Sequence, residues 1–88
     1  MRTRLSKKAF IRAMKVFLPA CVEEILSSHN MEMNLLIKDQ RFDGYLTVYL
    51  EEGRYLVEKC WYWDNGVYNA FIQASKPSRK EKKVVTVS

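Results

Sequence analysis

Histidine, cysteine, proline and glycine are all scarce in these 88 residues, with one, two, two and three copies respectively. A single His29 and two widely separated thiols, Cys21 and Cys60, fall short of the three or four closely spaced ligands of a zinc site, so no metal is expected. Gly44, Gly53 and Gly66 fall at strand starts or turns, which leaves no glycine-rich loop to cradle a phosphate and no cofactor to expect. Two cysteines are also too few for the disulfide framework of a small extracellular domain. With apolar neighbours on both sides they read as reduced thiols of a cytoplasmic protein. Long hydrophobic runs are missing too, since no stretch approaches the roughly 18 apolar residues of a membrane span. Neighbouring carboxylates, Glu51 with Glu52 and Asp39 with Asp43, fall at turns where acids are ordinarily solvated, so neither enzymatic activity nor a small-molecule substrate is expected.

Acids are nearly absent from the two ends. Residues 1–15 and 76–88 hold eleven of the fifteen Lys and Arg but one of the ten Asp and Glu. The ends are therefore +10 together, while residues 16–75, with four bases and nine acids, are −5. Clustered like charge destabilises the free protein and is relieved by phosphate or carboxylate, so the pattern implies an anionic partner, either nucleic acid or an acidic protein surface. Leu18-Pro19-Ala20-Cys21 has the residue types of a lipoprotein cleavage box, but Arg12 and Lys15 interrupt the apolar stretch of about 7 to 15 residues that an export signal needs.

What remains is the composition of an ordinary globular protein, 48% hydrophobic and 12% aromatic, short enough to form one domain over residues 1–88. At this size burial barely exceeds conformational entropy, which leaves room for a homodimer. Residues 6–28 read as a helix: Ser6 caps it, and Phe10, Met14, Phe17, Cys21 and Ile25 recur at spacings of three and four. Pro19 either kinks this helix or restarts it. From residue 31 the period becomes alternating, and residues 31–38, 45–50, 55–63 and 67–75 read as strands of an antiparallel meander.

Asn65-Gly66 reads as a two-residue type I′ hairpin. Together with a turn at Glu52-Gly53 it predicts Val48 opposite Val57, Leu46 opposite Lys59 and Trp63 opposite Tyr68, with Trp61 and Trp63 on the core face. Lys59 alone is out of place there and is expected to reach the sheet rim. A basic linker over residues 76–83 then leads to Val84-Val85-Thr86-Val87, whose β-branched composition suits one more strand. The expected fold class is thus α+β, an amino-terminal kinked helix packed on an antiparallel sheet of four or five strands.

Two surfaces follow from this reading. Arg4, Lys8, Arg12 and Lys15 fall within about 80° on a helical wheel and, with Arg79, Lys80, Lys82 and Lys83, are the expected nucleic-acid contacts, acting by backbone neutralisation with little sequence selectivity. Tyr45, Tyr49, Tyr62 and Phe71 fall on the reverse sheet face, a tyrosine-rich patch suited to a protein interface. The alternative function is therefore a protein-binding accessory or inhibitor, of the kind phages use against host machinery, whose last strand augments a partner's sheet.

Overall fold

In the computed structural model, which describes residues 1–77, the chain runs β1 (Arg2–Leu5), α1 (Lys7–Phe17), a 3-10 turn (Pro19–Cys21), α2 (Val22–Leu26), β2 (Glu32–Lys38), β3 (Asp43–Glu51), β4 (Arg54–Asn65) and α3 (Val67–Ser75). The expected last strand at residues 84–87 and the linker from residue 78 onward lie outside the described residues. The fold is α+β. Its strands pair antiparallel in the order β1-β4-β3-β2, and a kinked amino-terminal helical segment packs on the sheet.

Ser6 opens α1 as its position predicts, its hydroxyl accepting a hydrogen bond from the Ala9 amide at 3.2 Å. Phe10, Ala13 and Met14 face inward and are fully buried, and the Phe10 ring stacks on Tyr55 of β4 at 4.1 Å. Pro19 decides where the helix stops. Its ring has no amide to donate, and the chain leaves helical geometry one residue earlier, at Leu18 (φ −138°, ψ 56°). Pro19 then becomes the first residue of the 3-10 turn, and α2 restarts with Glu23 and Glu24 in its first turn, where the helix dipole favours carboxylates.

The β3–β4 hairpin adopts the expected register, Val48 opposite Val57 and Leu46 opposite Lys59, closed by Glu51 opposite Arg54. Glu52 (φ 49°) and Gly53 (φ 76°) both take the left-handed conformation that a two-residue type I′ turn requires. Lys59 reaches the surface as expected, where its ammonium pairs with the Asp64 carboxylate at 3.8 Å.

Three expectations are overturned. Residues 67–75 form helix α3, not a strand, so there is no hairpin at Asn65-Gly66 and Trp63 does not pair with Tyr68. Only Gly66 takes a positive φ there, and it serves as the amino-terminal cap of α3 while the Asp64 carboxylate accepts the Tyr68 amide at 3.3 Å. Inward-facing Val67, Tyr68, Phe71 and Ser75 follow the helical period, and burying them against α1 outweighs the alternating pattern that also fits this segment.

Second, Arg2–Leu5 is a strand, added at the sheet edge opposite residues 55–58 of β4. Leu5 joins the core, and the Thr3 hydroxyl and Tyr68 phenol share a hydrogen bond of 2.5 Å. Third, Trp63 is not in the core. β3 and β4 pair at Gly44–Asp64 and resume at Leu46–Lys59, so Tyr45 alone faces residues 60–63. That wide bulge turns Trp63 outward against the Tyr45 ring, edge to face at 5.3 Å. The Trp61 side chain lies outside what is described.

Candidate functional site

Both helical pieces and α3 cover one face of the sheet, which among the described residues leaves two surfaces available: the outer flank of α1 and the opposite sheet face, uncovered by any described element. On α1, Lys8 and Lys15 point directly away from the Phe10–Met14 stripe at 100° per residue. Both are exposed, as is Lys7, and among the described residues none of the three has a carboxylate within ion-pairing distance.

Arg12 lies on the same flank but is half-buried, its Nη1 donating to the Ser75 carbonyl oxygen at 2.7 Å. This bond satisfies a carboxyl-terminal carbonyl of α3 with a cation, which the helix dipole favours. It also fixes where the tail begins. Ser75, exposed Lys76 and Pro77 leave α3 beside the cationic flank of α1, and Arg79 and Lys80 follow in sequence. Arg79, Lys80, Lys82 and Lys83 themselves lie outside the described residues.

Arg4 does not join this flank. As a residue of β1 it lies on the uncovered sheet face, where its guanidinium donates to Glu51 Oε1 at 3.3 Å. Arg2, which the sequence reading did not single out, pairs with Glu58 at 3.8 Å on the same face. The amino-terminal cations are therefore split between two faces of the molecule, and the two arginines on the sheet are matched by carboxylates. The signal in residues 2–5 that points to an edge strand is the alternation of Thr3 and Leu5 with Arg2 and Arg4, but four residues are too short a run to separate it from the start of a helix.

The uncovered face carries Tyr45, Thr47 and Tyr49 from β3, and Leu56 and Glu58 from β4. Leu56 is buried although it faces this side, flanked across the ladder by Arg4 and Tyr49. Burial pushes the Tyr49 phenol above its usual pKa, Glu32 and Glu58 raise it further, and Arg2 opposes them.

Tyr62, within the β4 bulge, is 83% exposed, and Tyr45 and Trp63, in contact with each other, are each 37% exposed. Phe71, expected with these tyrosines at an interface, is instead fully buried between Phe10 and Phe17, with ring centroids at 5.9 and 6.1 Å. A helix turns it inward where a strand would have turned it out.

His29 is exposed between α2 and β2. Cys21 and Cys60 are free thiols, both half-buried. Among the described residues no helix is long and apolar enough to cross a membrane, and no cluster of His, Cys, Asp and Glu is arranged to hold a metal ion. No protein family, curated protein or solved structure matches the chain.

Proposed function

We propose that this chain is a non-catalytic binder of nucleic acid or a similar polyanion, using the outer flank of α1 together with the basic tail that leaves α3. The observation that carries this reading is the Arg12–Ser75 hydrogen bond, which roots the tail beside Lys8 and Lys15. Lys7, Lys8, Lys15 and Lys76 are exposed cations without a carboxylate partner among the described residues, so a phosphate backbone laid along α1 gains their charge without breaking an internal ion pair. Arg4 is left out of this contact, because it stands on β1 at the sheet face, where it donates to Glu51, and not on the flank of α1. A reducing, cytoplasmic setting accords with the two free thiols.

The test is binding to single- and double-stranded oligonucleotides across a salt series. Affinity should fall linearly on a log–log plot. Lys8→Ala with Lys15→Ala should lower the slope by about 2 and weaken all sequences alike. Absence of binding at low salt, or affinity indifferent to salt, overturns the reading.

A second reading, an accessory or inhibitor docking on a protein partner, is supported by the exposed Tyr45, Tyr62 and Trp63 around the bulge, since Tyr and Trp are enriched where interfaces concentrate their energy. Tyr62→Ala separates the two: it should leave oligonucleotide binding intact and weaken a protein complex.

A further inference from the structure

Among the described strands, β2 and β1 form the two edges of the sheet, and the two edges differ in kind. β1 has four residues, two of them arginines. A second β1 laid against it would bring like charges together, which blunts the edge. β2 has seven residues, Glu32 at one end, Lys38 at the other and no charge between them.

We propose that β2 is a self-complementary edge, and that two copies of this chain associate by pairing their β2 strands antiparallel about Leu35 into one continuous sheet. Backbone geometry sets which groups are available. The Met31 carbonyl accepts from the Leu50 amide and the Asp39 amide donates to the Phe42 carbonyl. The odd residues of this segment therefore turn their polar groups toward β3. By alternation, Glu32, Asn34, Leu36 and Lys38 turn theirs out of the sheet.

Two-fold antiparallel pairing requires each outward residue to meet an outward residue. Centred on Leu35, Glu32 meets Lys38 of the second copy, Asn34 meets Leu36, and both pairs recur by symmetry. This register uses all seven residues, forms about eight backbone hydrogen bonds, and places two Glu–Lys pairs directly across the strands. Shifting the centre to Asn34 or to Leu36 keeps the hydrogen-bond parity but removes both charge pairs and shortens the overlap. The charges at the strand ends thus select one register out of the permitted set.

The side chains agree with this choice. Leu36 is 39% exposed; paired, it lies beside Asn34 of the second copy and diagonal to that copy's Leu36.

The experiment is sedimentation velocity on the full chain across a concentration series reaching the millimolar range, alongside charge reversals whose folding is checked by circular dichroism. The wild type should dimerise with rising concentration. Glu32→Lys alone and Lys38→Glu alone should each weaken the dimer about tenfold or more, and the two together should restore it. Leu36→Pro removes an outward-facing amide without touching the β2–β3 ladder and should also weaken it. A monomer at every concentration, a dimer indifferent to single reversals, or a double reversal that fails to rescue overturns the proposal. So does slow hydrogen exchange at the Asn34 and Leu36 amides in dilute monomer, because the edge would then be covered within one chain.

Discussion

A methyl group at Gly44 would lie 2.7 Å from the Trp63 carbonyl oxygen and 3.0 Å from both the Asp64 Cα and the Val67 Cγ1. Two of those three atoms are backbone and the third belongs to a fully buried side chain, so none can yield cheaply. Gly44 is therefore fixed by the approach of β4 just before α3 begins, not by its own backbone angles. Gly44→Ala should lower stability by about 1–3 kcal/mol, read as a fall in the urea midpoint. Gly53 presents the opposite case. Nothing lies within 4 Å of a Cβ added there, and its φ of +76° alone favours glycine.

At the scale of elements, β2 was legible because only Leu36 breaks its alternation, and the β3–β4 hairpin because the Glu52-Gly53 turn fixes its parity, with Lys59 the one residue out of pattern. Ser6 and Pro19 likewise marked both ends of α1. The run Val67-Tyr68-Asn69-Ala70-Phe71-Ile72-Gln73-Ala74 satisfies a period of two and a period of 3.6 equally well, and only packing against α1, seen in the Phe71 contacts with Phe10 and Phe17, decides between them. The flank of α1 was readable from its wheel, but the use of Arg12 was not, because its acceptor is a backbone carbonyl 63 residues away. Replacing Arg12 with Met should cost about 1.5–3 kcal/mol in thermal or urea unfolding by detaching the end of α3 from α1. The salt slope of polyanion binding should change less than it does with Lys8 and Lys15, which separates an anchoring cation from contacting ones.

For the molecule as a whole, the sum of +5 conceals a division of labour between two faces. The sheet face interleaves Arg2 and Arg4 with Glu58 and Glu51 and is locally balanced. The flank of α1 is not balanced, and its lysines repel one another in the free state. Lys8→Gln with Lys15→Gln should therefore raise the melting temperature slightly at low ionic strength while weakening polyanion binding, and the stabilisation should fade as salt is added. A melting temperature that drops with these substitutions would mean that the two side chains hold the fold together by packing.

Strand β1 joins residues separated by 50 to 56 positions, Leu5 with Tyr55 and Arg2 with Glu58. During synthesis the segment that emerges early must wait, at about 5–20 residues per second, until its neighbour at β4 has left the ribosome. The β2–β3–β4 meander can assemble meanwhile from near neighbours, and the edge closes last. Until it does, the Thr3–Tyr68 bond that ties β1 to α3 is open, and Arg2 and Arg4 lack the Glu58 and Glu51 carboxylates that meet them in the finished sheet.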